Sequence, residues 1–292
     1  MMTKTWFITG ATRGLGLEVA KAALRAGDRV VATGRKRTAV AERLGADGES
    51  LFSAELDVTD ASQAKAAVLA AMSRFGGIDV LVNNAGYGLL GFFEEITAND
   101  AQAQFATNFF GALNVTRAVL PVMRSARRGR IFNVSSLGGL LGVQFGSLYC
   151  ATKFALEGFS ESLAKEVAPF GIRVTIVEPG PFRTDFLTPE SLRHGDDRIA
   201  DYDDRRAQLR AAYVDRGGLQ SGDPAKLADA LVELANEPEP PMRFLAGTIA
   251  VQAAEEKLAG MRAEIDRWRQ LSIGTDGNYA QTDAAGLIAQ IK

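Results

Sequence analysis

Short apolar runs alternate with longer amphipathic stretches along most of the chain. Trp6-Phe7-Ile8-Thr9, Arg29-Val30-Val31-Ala32-Thr33, 51–56, Asp79-Val80-Leu81-Val82, 130–134, 172–177 and 242–245 are short and rich in β-branched or aromatic residues, so they read as strands. Between and after them, 15–26, 36–44, 61–75, 98–126, 148–168 and 224–236 carry helix-length patterns. Pro121 is expected to kink or break the helix over 98–126. The strands are almost continuously apolar, which predicts cover on both faces. Strands that alternate with helices in this way predict an α/β fold, a doubly wound parallel sheet with helices on both faces.

No repeat or low-complexity linker interrupts the pattern, so 1–292 reads as a single domain. Residues 185–222 differ from the rest. They are polar and charge-rich, with Asp196-Asp197, Asp203-Asp204 and Arg205-Arg206, and they follow the carboxyl end of a strand, where ligands meet open α/β sheets. A substrate-covering lid is expected there. Residues 246–292 form a C-terminal extension with a helix over 248–270 and a polar tail.

Composition narrows the function classes. The net charge of -2 gives no basic surplus for nucleic acid. The apolar runs fall well short of the ~20 residues that span a bilayer. The N-terminus lacks the order of a signal peptide. One cysteine, Cys150, excludes an internal disulfide, and with one histidine, His194, no transition-metal site is expected. A cytoplasmic location fits these features.

Thr9-Gly10-Ala11-Thr12-Arg13-Gly14-Leu15-Gly16 lies between the first strand and the first helix. Glycines there permit a tight turn and close backbone approach, and the helix N-terminus behind them suits a pyrophosphate. Gly10, Thr12, Arg13, Gly14, Leu15 and Gly16 are therefore expected at a dinucleotide. At the end of the second strand, where an acidic residue would hold a ribose 2′-hydroxyl, the sequence reads Thr33-Gly34-Arg35-Lys36-Arg37. Cations there suit a 2′-phosphate. NADP(H) is expected rather than NAD(H), with Arg13 and Arg35 as the contacts.

Further motifs follow in order. They are Leu56-Asp57-Val58-Thr59, Asn83-Asn84-Ala85-Gly86, Asn108 in Thr107-Asn108-Phe109-Phe110-Gly111, Ser135-Ser136, Tyr149-Cys150-Ala151-Thr152-Lys153, and Pro179-Gly180 with Thr184. Together with the glycine turn, this series resembles the short-chain dehydrogenase/reductase family of the Ser-Tyr-Lys type, over residues 4–250. More weakly, Ala85-Gly86-Tyr87-Gly88 and the stretch 178–184 are similar to members related to 17β-hydroxysteroid and retinol dehydrogenases. The resemblance implies a Rossmann fold of about seven strands. It also implies an oxidoreductase that interconverts a ketone or aldehyde with an alcohol. Asp57 and Val58 would lie near the adenine, Asn84, Ala85 and Gly86 at the cofactor edge, and Pro179, Gly180 and Thr184 at the nicotinamide. Relatives pair through the helices that carry Asn108 and Tyr149, so a homodimer or homotetramer is expected.

Tyr149 and Lys153 stand four apart on one helix and share a face. A free phenol titrates near 10, and a nearby ammonium favours the phenolate, which tunes Tyr149 as general acid or base. Ser136, at the family's spacing from the tyrosine, is expected to hold the substrate oxygen, and its neighbour Ser135 to be a backbone-bonded loop serine. By resemblance, Lys153 also binds the nicotinamide ribose and Asn108 supports a proton relay. The catalytic set is then Asn108, Ser136, Tyr149 and Lys153. Cys150 reads as a buried small side chain and His194 as a surface histidine. Phe145, Phe182 and Phe186 are expected to line an apolar pocket for a lipophilic substrate. Gly158, in mid-helix, costs about 1 kcal/mol against alanine and is expected to serve close helix packing. Two rival readings fit the motifs less well. An extended-family epimerase or dehydratase would need a larger C-terminal domain and a Gly-x-x-Gly-x-x-Gly turn. A non-catalytic NADP(H)-binding sensor would have lost the tyrosine or lysine.

Overall fold

A computed structural model of the chain describes residues 3–188, 191–195, 198–215, 218–277 and 286. The central sheet contains β1 (Thr5–Ile8), β2 (Arg29–Gly34), β3 (Leu51–Glu55), β4 (Val80–Asn83), β6 (Gly129–Val134), β7 (Ile172–Pro179) and β9 (Arg243–Ala246). Its order is β3-β2-β1-β4-β6-β7-β9, and every pairing is parallel. Two further strands, β5 (Gly88–Leu90) and β8 (Leu192–His194), pair with each other outside it.

Parallel neighbours need crossovers, and helices supply them. They are α1 (Gly14–Arg25), α2 (Arg37–Leu44), α3 (Ala61–Phe75), α4 (Ala98–Phe105), α5 (Gly111–Ala126), α6 (Ser147–Val167), α7 (Asp203–Asp215), α8 (Pro224–Leu234) and α9 (Thr248–Ile273). Side-chain alternation splits the strands between two cores. Trp6 and Ile8 join Val30, Val82 and Phe132 under α1 and α8, while Phe7 joins Val31, Leu81 and Ile131 under α3, α5 and α6. Helix starts follow local chemistry. Asp60 accepts from the Ser62 and Gln63 amides at the start of α3, and Asp223 accepts from the Ala225 amide just before Pro224 opens α8.

The stretch 98–126 is helical throughout, as expected, but not as a regular α-helix. A π-turn over Ala106–Phe110 separates α4 from α5, and α5 runs through Pro121. The π-turn falls where Gly111 is pressed on Val58, since a β-carbon there would stand 2.5 Å from Val58 Cγ2. Val119 and Met123, either side of the proline, are buried in the core and hold α5 together across it.

The chain divides into two compact units, Met1–Ala254 and Glu255–Lys292. In the second, the described helical residues Leu258, Met261, Ile265 and Trp268 are exposed. Among the described residues, no helix is long and apolar enough to cross a membrane.

The sheet order turns back between β1 and β4. Their helical connections leave in opposite directions and open a crevice at the carboxyl ends of these strands.

Candidate active site

The crevice floor is the glycine turn. Gly10 and Gly14 have φ of 67° and 54°, in the left-handed region that suits glycine. A β-carbon on Gly16 would lie 2.4 Å from Asn84 Nδ2 and 2.5 Å from the Gly10 carbonyl oxygen. Asn84 occupies that space because its Nδ2 donates to the carbonyls of Thr9 (3.0 Å) and Gly10 (3.2 Å). In return, Thr9 Oγ1 accepts from the amides of Asn84 and Ala85, each at 3.0 Å. The ends of β1 and β4 are thereby stitched together. No side chain caps α1 and no acidic residue lies in its first turn, so its leading N–H groups and positive dipole end face the crevice. Leu15 packs on the first core.

The other cofactor candidates gather around this turn to different degrees. Thr184 is close, 3.6 Å from where a Gly14 β-carbon would stand. Thr12 lies on Gly34 at the end of β2, where a β-carbon would meet Thr12 Cγ2 at 2.6 Å. Arg35 follows Gly34 and is exposed, whereas Arg37 pairs with Asp47 at 2.5 Å and stacks over Phe52. Asp57 Oδ1 holds the next turn by accepting from the Thr59 amide and hydroxyl, and Val58 is buried. Gly86 sits beside Asn108, and the Gly180 amide, just after Pro179, donates to the Ala246 carbonyl at 3.0 Å.

Beyond the turn, β6 and α6 bring the chemical groups together. Ser136 Oγ accepts from the Gly138 amide at 3.0 Å, and a β-carbon on Gly138 would meet both Tyr149 Cε1 (3.1 Å) and Ser136 Oγ (3.5 Å), so the two side chains converge there. The Phe186 ring lies 5.7 Å from the Tyr149 ring. Burial pushes the Tyr149 hydroxyl up to about 12. The neighbouring Ser136 hydroxyl draws it back down in part, and Cys150 and Tyr213 push it further up. The lysine does not reverse this. Lys153 is 6% exposed, its Nζ donates to the Val134 carbonyl at 2.8 Å, and it stands 5.8 Å from the tyrosine ring centroid. Burial brings it down to about 8, against the upward pull of Glu157. Asn108, in the π-turn, is buried; its Nδ2 donates to the Tyr87 carbonyl (3.0 Å) and Thr152 Oγ1 (3.3 Å), and its Oδ1 accepts from the Tyr87 amide. The structure thus joins Asn108 to the catalytic helix through Thr152.

Several side chains differ from the reading of the sequence. Ser135 is not backbone-bonded: its hydroxyl donates to Glu157 Oε1 at 2.5 Å, in a buried pair. Phe182 belongs to the first core and lies under Gly222, whereas Phe145 clusters with Leu90 and Leu192, with Leu209 and Tyr213 packed against them. His194 is half-buried in β8, its Nδ1 enclosed and without a hydrogen-bond partner, and burial and Arg210 lower its pKa. A β-carbon on Gly158 would meet nothing within 4 Å of the chain itself.

No motif predicts how the described residues of the 185–222 insertion are fastened. Arg206 forms a buried ion pair with Glu95, and Glu95 also accepts from the Ile199 amide at 3.1 Å. Tyr202 donates to Glu94, and β8 pairs with β5. Nothing in the local pattern around Glu94 and Glu95 shows a partner more than a hundred residues away.

Comparison with known proteins agrees with this arrangement. A family model described as short chain dehydrogenase matches residues 4–194. The chain is similar to oxidoreductase BOA17 of Botryotinia fuckeliana, with 40% identity over 94% of this chain and 100% of that one. It is similar to 3-ketodihydrosphingosine reductase of Bacteroides thetaiotaomicron, with 38% identity over 85% and 90%. Human retinol dehydrogenase 8 is 44% identical over 63% of this chain and 60% of that protein. The crystal structure of a short-chain dehydrogenase from Streptomyces avermitilis superposes with a TM-score of 0.85 at 38% identity, covering 95% of this chain and 100% of that one. With this match over most of its length, and with the glycine crevice and the Ser136-Tyr149-Lys153 constellation in place, the chain belongs to the short-chain dehydrogenase family of nicotinamide-dependent oxidoreductases.

Proposed function

We propose that the protein is an NADP(H)-dependent reductase of ketones or aldehydes, able to run in reverse on the alcohols, with Tyr149 as the proton-exchanging group. The observation that carries this reading is the convergence of Ser136 and Tyr149 beside buried Lys153, at the mouth of the glycine crevice.

The residues present fit a dinucleotide. The turn is kept bare of side chains where a β-carbon on Gly16 would clash, and the uncapped start of α1 suits a pyrophosphate. Gly10, Thr12, Arg13, Gly14, Leu15 and Gly16 would hold the phosphates. Asp57 and Val58 would flank the adenine, Asn84, Ala85 and Gly86 the central edge, and Pro179, Gly180 and Thr184 the nicotinamide end. Arg13 and the exposed Arg35 suit a 2′-phosphate. When bound, the cofactor supplies or accepts the hydride.

The chain's own part is to bind, orient and protonate. Ser136 and Tyr149 converge on one point and together hold a carbonyl oxygen by two hydrogen bonds. A hydroxyl held at about 12 remains a phenol at neutral pH, the form that donates a proton to an oxygen gaining negative charge. Lys153, 5.8 Å from the tyrosine ring, as an ammonium favours the phenolate that the reverse reaction needs, and would meet the ribose hydroxyls. Phe186 against Tyr149, and the cluster of Leu90, Phe145 and Leu192 that β8 and α7 help to close, give the substrate side an apolar character suited to a lipophilic carbonyl compound. Exposed Phe110 and Phe154 support association of copies into a dimer or tetramer, which the mass in solution scattering tests.

The experiment is NADPH and NADH oxidation over a panel of ketones and aldehydes, in the wild type and in Arg35→Ser. We expect turnover with NADPH and a fall of about tenfold or more in the preference for NADPH in the variant. Equal use of both cofactors by the wild type would refute the NADP(H) assignment, and no turnover across the panel would refute the reductase.

A further inference from the structure

The catalytic helix rests on the sheet through polar contacts as well as apolar ones. Asn133 Nδ2 donates to Ser160 at 2.7 Å, and near the catalytic end Ser135 donates to Glu157 Oε1. Glu157 is one turn beyond Lys153 on α6 and is 4% exposed. Its second oxygen accepts from Arg243 of β9. The same guanidinium donates to Glu161 of α6 at 2.5 Å and to Glu178 of β7 at 2.9 Å. Glu178 is fully buried, and its Oε2 has no hydrogen-bond partner. Burial and the neighbouring Glu157 raise Glu178 to about 7, with Arg243 acting against them. Burial works against the charge on Arg243 as well, and its bonds to Glu161 and Glu157 outweigh that.

This cluster touches the mechanism at one point. Lys153 is buried beside it, and Glu157 is the carboxylate that pulls its pKa upward. Among the described residues, the charged and titratable groups around Lys153 and Glu157 are Tyr149 and Glu161 on α6, Glu178 on β7 and Arg243 on β9. Strand β6 and the π-turn contribute the neutral Val134 carbonyl, Ser135, Ser136 and Asn108.

We propose that Glu157 is a positioning residue of this site: held by Ser135 and Arg243, it supplies the negative charge that keeps Lys153 an ammonium, and Arg243 limits that charge. The proposal rests on the reading of Lys153 given above. It explains why a charged residue, Glu157, is buried behind the catalytic helix at a cost in desolvation, with the guanidinium of the exposed Arg243 as its partner. It also makes a prediction of sign. Taking the charge off Glu157 lowers the pKa of Lys153, and taking it off Arg243 raises it. A merely structural role would disturb the site in the same direction in both variants.

The test compares wild type, Glu157→Gln and Arg243→Met. Two readouts are recorded: the pH profile of kcat/KM for carbonyl reduction with NADPH, and the titration of Lys153 followed by NMR of carbon-13-labelled lysine. We expect the Lys153 titration and the alkaline limb of the profile to move down by about one pH unit in Glu157→Gln and up in Arg243→Met. No movement in either variant, or movement of both in one direction, would overturn the proposal. If Glu157→Gln does not fold, Arg243→Met decides alone: an upward shift supports the proposal, and no shift or a downward one overturns it. The NMR titration needs no turnover, so an inactive wild type would count against the reductase reading and leave this test intact.

Discussion

The fastening of the 185–222 insertion gives a prediction whose size can be worked out. Glu95 and Arg206 are 2% and 9% exposed, so water screens their attraction little. Glu95→Gln keeps the shape and removes the charge, leaving a buried guanidinium with less to balance it. Breaking a buried pair from one side costs about 3–5 kcal/mol. Arg206 keeps its bond to Asp203, which is 40% exposed and makes up part of the loss, so about 2–3 kcal/mol is expected. The rest of the domain does not depend on this contact, and the loss falls on local opening of the insertion rather than on global unfolding. Amide hydrogen exchange over 199–213 should then speed up by about 30- to 150-fold, with a much smaller change in α1 and α3. The KM for a ketone substrate should rise, and NADPH affinity should hold. Replacing both partners, Glu95→Met with Arg206→Met, should restore slow exchange, since an apolar pair of similar volume is close to neutral. Unchanged exchange in Glu95→Gln would refute the reasoning.

Two further outcomes follow from the same geometry. Gly16→Ala places a methyl group against Asn84 and the Gly10 carbonyl, and overpacking of this kind costs about 1–3 kcal/mol, so calorimetry should show NADPH binding weakened about tenfold or more with the fold intact. Glu178 titrates near 7 in the folded chain against 4.5 unfolded, so the folded state prefers its neutral form; stability is greatest below the unfolded value and falls as pH rises from about 4.5 to 7, by about 3 kcal/mol. Glu178→Gln should therefore raise the Tm by about 5 °C at pH 8 and leave it nearly unchanged at pH 4.5, as a pair of thermal melts would show.

The fold was legible where burial sets the sequence pattern. Trp6 to Ile8 are apolar on both sides because helices cover both sides, Ile172, Val174, Ile176 and Val177 are likewise buried, and the strands fell within a residue or two of their expected places. What escaped was set by single tertiary contacts. The π-turn between α4 and α5 falls beside the contact of Gly111 with Val58, while the proline, which marks a break in isolation, does not interrupt α5. Strands β5 and β8 are three residues each, too short for alternation to show. In the site, motif spacing located Ser136, Tyr149 and Lys153, which the fold does bring together. It said nothing of Glu157, Glu178 and Arg243, because their meaning lies in a shared hydrogen-bond network spanning three elements. The expected downward pull of Lys153 on the tyrosine met a larger opposing effect, the burial of the hydroxyl, and burial is a property of the packed structure.

The central claim is that Tyr149 exchanges the proton while the rest of the site only binds and orients. The most direct test measures turnover and NADPH affinity side by side in wild type and Tyr149→Phe, on the best ketone from the panel. The account predicts a loss of kcat of about 100- to 10,000-fold with NADPH affinity within about threefold of wild type. A Tyr149→Phe variant that retained most of its kcat would contradict it.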